Sequence, residues 1–166
     1  MPRVVYLIVY HTGSKGAAAH WALYVPSAAN ENVGKVIHVT GSPLHGYTRQ
    51  FRCNYDLGKT KSYYECISLG AVSPNGVRDV TKYSDNKTSV DNPTTYTDNL
   101  EKVALQVPAP GRLAGFNPLR GTTPGNGDCQ YWLDQYVRAL VAEGILESSA
   151  VDALRNAPRT VNKKKK

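Results

Sequence analysis

A cysteine attacks carbon well only as its thiolate, and the start of a helix favours that form through its free backbone N–H groups and partial positive charge. Cys129 stands where a helix should begin. It follows a glycine-rich stretch ending in Gly125, Gly127 and Asp128, a good N-cap, and it opens an apolar stripe of Trp132, Leu133, Tyr136, Val137, Leu140 and Val141. Asp128 opposes the helix start, since a neighbouring negative charge raises a thiol's pKa. A base must compensate. His20 opens the run His20–Val25, in which alternation puts His20, Ala22 and Tyr24 on one face, and His38 lies in the next strand-like run, Val36–Val39. Pairing of those strands would set two imidazoles side by side, one as base and one orienting it.

The geometry expected from this is a Cys129 sulfur within roughly 4 Å of a His20 ring nitrogen, delivered by a helix packed across the sheet face that bears His20. The plainer alternative is that Cys129 is a small buried hydrophobe and the histidines are satisfied by core hydrogen bonds. A zinc site built from His20, His38 and Cys129 lacks any Cys-x-x-Cys or His-x-x-x-His spacing. No metal and no cofactor is expected.

The elements that must position these groups read as strands first and helices last. Strands are expected over Val4–Tyr10, His20–Val25, Lys35–Val39, Arg49–Tyr55 and Ser62–Leu69. The turn-like Asp56-Leu57-Gly58-Lys59 suggests that the last two form a hairpin, with Cys53 and Cys66 as reduced cross-strand neighbours. Residues Ser73–Asn99 form a polar excursion expected to be mostly irregular. A helix capped by Asp98, with Glu101 three residues on, should bury Leu100, Val103, Ala104 and Val107 and stop at Pro108 and Pro110. The Cys129 helix should close at Gly144, and Ser149 with Asp152 should cap a short last helix ending near Asn156. The class is α+β with an antiparallel sheet.

The chain has 166 residues, 41% of them hydrophobic, enough for one packed domain, read as residues 1–158 with a basic disordered tail at 159–166. Lys163 to Lys166 carry four of the seven net positive charges. The body is thus nearly balanced and has no basic stripe interleaved with aromatics, so nucleic acid is not an expected partner. The apolar run Val4–Tyr10 is too short to cross a membrane and lacks a signal-peptide cleavage site, so no transmembrane segment is expected. An odd cysteine count argues against a disulfide framework. The acceptor-like Asn86-Lys87-Thr88 then has no secretion signal behind it. The chain reads as cytoplasmic.

The segment His20-Trp21-Ala22-Leu23-Tyr24-Val25, a loop, Val36-Ile37-His38-Val39, and later Phe116-Asn117-Pro118-Leu119 leading into Asp128-Cys129-Gln130-Tyr131-Trp132 resemble the lecithin:retinol acyltransferase-like branch of the NlpC/P60 superfamily. The likeness covers about residues 4–40 and 113–142. The chain is also similar to small uncharacterised fungal proteins with the same His-Trp and Cys-x-Tyr-Trp signatures. The resemblance implies a circularly permuted papain-like fold in which Cys129 is the nucleophile, His20 the base and His38 its orienting partner. Asp128 stands where that branch has Asn, Gln130-Tyr131 where it has Glu-His, and the loop from Pro26 to Gly34 is longer. The function expected is a cysteine-dependent acyl-transfer enzyme, a hydrolase or acyltransferase. Its substrate would be a small-molecule, lipid or peptide amide, ester or thioester, with Tyr24, His11, Trp21 and Tyr131 as candidate substrate contacts. The alternative is a binding protein that retains the fold without catalysis.

Overall fold

In the computed structural model the protein is described over residues 2–79, 88–112 and 127–162. Strands β1 (Arg3–Tyr10), β2 (His20–Pro26), β3 (Val33–Ser42), β4 (Gly46–Asp56), β5 (Tyr64–Val72) and β6 (Thr88–Asp91) precede helices α1 (Asn99–Gln106), α2 (Cys129–Ala142) and α3 (Ser149–Arg155). The strands form one sheet in the order β5-β1-β2-β3-β4-β6, antiparallel at every neighbouring pair. The class is α+β. No helix among the described residues is long and apolar enough to cross a membrane.

The alternation of β1 and β2 sorts the molecule into two layers. Val5, Leu7, Val9, Trp21, Leu23 and Val25 face the helices and join Ile37, Val39 and Phe51 in the main core. Ile8, Tyr10, Ala22, Tyr24 and Val36 face the other way and form a second cluster with Leu57. The stripe of α2 lies on the main core, with Trp132, Leu133, Tyr136, Val137 and Leu140 buried. Trp132 donates to Val107 O at 2.9 Å and Tyr136 to Leu100 O at 2.7 Å, tying α2 to α1. These bonds satisfy the polar ends of two large buried rings, each of which contributes about 3 kcal/mol through burial.

Lys35 on β3 is buried and binds both Asp98 and Glu101 at the start of α1. Asp98 also caps that helix, accepting from Glu101 N at 2.9 Å. The ion triad therefore fixes where α1 begins on the sheet.

Three expectations need correction. The strands expected to form a β4–β5 hairpin lie far apart, because β5 pairs with β1 and three strands separate it from β4. Cys53 sits opposite Thr88 and Cys66 opposite Ile8. The link between them crosses the second face, where Leu57 and Tyr64 cover apolar side chains that a simple hairpin would leave exposed. The described part of the polar excursion is mostly irregular, as expected, with one short strand, β6, that gives the edge of β4 a partner. Ser148, not Ser149, takes the N-cap position of α3, without a side-chain capping bond. Residues 159–162 are not a free tail. Gly16 N donates to Val161 O at 2.8 Å, Val161 N to Ala17 O at 2.7 Å, and the Val161 side chain enters the core. The segment supplies backbone partners to the lead-in of β2. Lys163 to Lys166 and the Phe116-Leu119 motif lie outside the described residues.

Candidate active site

Cys129 is the first residue of α2, and Asp128 caps the helix by accepting from Tyr131 N at 3.0 Å. His20 is the first residue of β2. Both are thus placed by element starts, and both line one cavity of about 610 Å³ together with His38, Gln50, Tyr47 and Arg52. Contrary to the expectation from sequence, the helix does not cross the face bearing His20. It packs on the opposite face, against Trp21 and its neighbours, and Cys129 and His20 share the lining of the cavity without a hydrogen bond joining them. The reason is the alternation itself: Trp21 is the large apolar side chain and takes the helix side, which leaves His20 on the other.

Gln130 sets the spacing between them. Its side chain is fully buried, and Nε2 donates to Ala19 O at 2.8 Å and to Arg159 O at 2.7 Å. The residue after the cysteine is thereby tied to the residue before the histidine. The Cys129 sulfur faces the backbone N–H groups of Trp21, Gln130 and Cys129 itself. These donors and the helix start lower the thiol's pKa, but burial, with help from Asp128, pushes it up to about 11. The expected thiolate-favouring balance is therefore reversed: the resting sulfur is a thiol.

The imidazoles form a directed chain. His20 Nε2 lies 2.7 Å from His38 Nδ1, and His38 Nε2 lies 2.7 Å from Gln50 Oε1. Gln50 Nε2 donates to Asp91 Oδ1 at 2.9 Å. A carboxylate can only accept, so Asp91 holds the Gln50 amide with its oxygen toward His38. That oxygen requires an N–H on His38 Nε2, which leaves Nδ1 to accept from His20 Nε2–H. The lone pair of His20 is then on Nδ1, the nitrogen not used by His38. Burial lowers the His20 pKa to about 3, with His38 adding to the effect, and burial lowers that of His38 to about 4 despite the bond to Gln50. Both rings are neutral near pH 7. Tyr10 stacks on His20 with centroids 5.7 Å apart and holds the ring plane.

Gln50, Asp91 and Tyr47 were not singled out from the sequence. Gln50 had a usable signal. A tight turn centred on Leu44 pairs residues whose numbers sum to 88, and the observed register His38↔Gln50 and Val36↔Arg52 follows that sum. Gly41 permits the close approach at this rim of the cavity, since φ is +145° and a Cβ there would lie 2.1 Å from Gly46 O. Asp91 reaches the site through a strand pairing across a long sequence separation, which leaves no local mark. Tyr47 beside Cys129 has its pKa pushed up to about 12, chiefly by burial.

The secondary candidates divide. Trp21 contributes its backbone N–H, while its indole donates to Pro158 O at 2.9 Å, away from the cavity. Tyr24 donates to Glu31 O at 3.0 Å. His11 is buried with Nε2 2.7 Å from Glu65 Oε2. Tyr131 lines a separate cleft with Arg138, Arg155 and Arg159. None of the four side chains lines the cavity at Cys129. Among the described residues no cluster of three or more His, Cys, Asp or Glu side chains could hold a metal ion.

The model of a family of unknown function, DUF6540, matches residues 5–147 of the chain. No curated protein and no solved structure matches it.

Proposed function

The chain belongs to the DUF6540 family, and we propose that it is a cysteine-dependent acyl-transfer enzyme with a permuted papain-like fold related to the NlpC/P60 superfamily. The observation that carries this reading is the chain Asp91–Gln50–His38–His20, which leaves an uncharged His20 with its lone pair on Nδ1 in the cavity that also holds a helix-start cysteine.

In this mechanism the acyl carbonyl enters the cavity with its oxygen toward the N–H groups at the start of α2 and the Tyr47 hydroxyl. The Cys129 sulfur attacks the carbonyl carbon as its proton passes to His20 Nδ1. The oxyanion collapses, the bond to the leaving group breaks, and the leaving group takes the proton from His20. A second nucleophile, water or an acceptor, then attacks the thioester carbonyl as its proton passes to His20; the C–S bond breaks, and the departing sulfur takes that proton back, restoring the thiol and the neutral imidazole. The imidazolium formed midway keeps its Nε2–H bond to His38, so the ring does not turn. A thiol near 11 beside a base near 3 makes this a concerted general-base step rather than attack by a standing thiolate.

The test is trapping. Incubation with p-nitrophenyl hexanoate should add a hexanoyl group to Cys129, read by intact and peptide mass. His20→Ala should slow adduct formation by roughly 100-fold or more. The wild-type rate should be nearly flat between pH 6 and 9, whereas a pre-ionised thiol below its pKa would give a tenfold rise per unit. Acylation at Cys53 or Cys66 instead, or a wild-type rate in His20→Ala, contradicts the enzyme. The raised thiol and the two neutral imidazoles favour one second reading, a binding protein on the same fold, and no adduct at any cysteine is its expected result.

A further inference from the structure

Among the described residues the cavity is lined by one cation, and none of their carboxylates pairs with it. Arg52 lies two residues beyond Gln50 on β4, so alternation puts both on the face that carries His38, and Arg52 lines the same cavity. Its guanidinium carbon stands 4.6 Å from the centroid of the Tyr55 ring. Its Nε is buried without a hydrogen-bond partner. Among the described residues no carboxylate pairs with it, although Arg3 is paired with Asp79, Lys35 with Asp98 and Glu101, Arg138 with Asp134 and Arg155 with Asp152. Asp91, the acid nearest in register, is occupied by Gln50.

A partly buried guanidinium with an unused donor needs a partner, and its planar fork matches a carboxylate. The Tyr55 ring face stabilises the guanidinium charge without supplying an anion. An anionic group on a ligand is attracted to the Arg52 side of the cavity.

The geometry points to Arg52 as the receptor for an ionised carboxylate on the ligand of this cavity. Resting on the acyl-transfer reading, the substrate class is a small acyl compound whose scissile carbonyl meets Cys129 while a second, free carboxylate is held by Arg52. The half-amides and half-esters of dicarboxylic acids, and N-acyl amino acids, have that form. The site discriminates by charge: an amide of the same shape leaves the guanidinium unpaired and places a neutral group where a charge is wanted.

The experiment compares hexanoate with hexanamide, which share a shape and differ in charge, by titrating the ¹⁵N-labelled full chain and following the Cys129 backbone and Gln50 side-chain amide signals. Hexanoate is expected to bind roughly ten- to a hundredfold more tightly, more weakly as salt rises. Arg52→Met should abolish that preference, and Arg52→Lys should keep part of it. If Arg52→Met does not fold, the Arg52→Lys loss and the salt dependence decide. Equal binding of the two probes, an unchanged preference in the folded Arg52 variants, or hexanoate shifts confined to the Arg138–Arg155–Arg159 cleft overturns the assignment. The readout needs no turnover. A charge preference without any acyl adduct removes the enzyme reading alone, and an adduct without the preference removes only the Arg52 assignment.

Discussion

Reversing one hydrogen bond should switch off the base without touching it. Gln50 presents an acceptor to His38 Nε2, and the His20 lone pair on Nδ1 follows from that choice through two bonds of 2.7 Å. In Gln50→Lys the group facing His38 can only donate. His38 Nε2 must then accept, its Nδ1 carries the proton, His20 Nε2 accepts in turn, and His20 Nδ1 is protonated and useless as a base. Gln50 is only partly buried and Asp91 stands beside it, so the ammonium is tolerated. Recovering the productive tautomer means breaking a hydrogen bond to a charged donor, about 1.5–3 kcal/mol, which slows acylation by roughly 10- to 150-fold. Gln50→Glu, which keeps an acceptor, should retain the productive tautomer. Asp91→Asn, whose amide can both donate and accept, should cost no more than about threefold, since that bond is exposed to solvent. The assay is a long-range ¹H–¹⁵N correlation of the histidine rings beside the acylation rate. Wild type and Gln50→Glu should show His20 protonated at Nε2, and Gln50→Lys at Nδ1. A wild-type His20 protonated at Nδ1, or a Gln50→Lys variant with unchanged ring signals and rate, refutes the relay.

Two further outcomes concern stability. The folded pKa values of His20 and His38, about 3 and about 4, lie below the ordinary 6.5. The unfolded chain therefore binds more protons between those limits, and stability present above pH 6.5 is lost as pH falls toward 4, at about 1.4 kcal/mol per pH unit for each group. Urea midpoints in His20→Phe, whose ring cannot titrate, should show a shallower slope over pH 4–6.5, and an unchanged slope would remove the dyad as its source. Lys35→Met leaves Asp98 and Glu101 buried without their cation, so it should lower stability by about 3–5 kcal/mol in chemical denaturation. The Lys35 pKa is raised by those carboxylates against the effect of burial, so its contribution is present at neutral pH and lost as pH rises above 10.5. A wild-type stability in Lys35→Met would show that the triad does not hold α1.

The local parts of the fold were legible because local physics decides them. The alternation of β1 and β2, the Asp98 and Asp128 caps and the stripe of α2 are all found where their residues point. Partner choice among strands was not legible in the same way. Asp56–Lys59 has the composition of a turn, and it does cap a short 3₁₀ turn through Asp56. What it connects is settled elsewhere, by the free edge of β1 and by the apolar second face that the crossing segment has to cover. The docking of Val161 likewise depends on unpaired backbone at residues 16–19, a need that exists only once the sheet is built.

The site divides along the same line. Residues proposed to carry the chemistry announce themselves by type: a cysteine at a helix start and histidines in strands. Residues that fix the state of the chemistry do not, because a glutamine or an aspartate in a strand has no distinctive type and acquires its role only from what lies opposite. His38 and Gln50 are opposite because a hairpin centred on Leu44 makes them so, and Asp91 arrives through β6. The burial that packs α2 also explains why the thiol is not activated at rest. The stripe that delivers Cys129 to the cavity shields it from water, and its desolvation outweighs the helix N-terminus. On the proposed acyl-transfer reading, a site so placed gains its reactivity when a ligand carbonyl arrives, because only then would the developing negative charge have N–H donors to meet and a neutral imidazole to receive the proton. The chain from Asp91 to His20 keeps that imidazole ready by fixing which nitrogen is bare, a task that requires no charge on either ring.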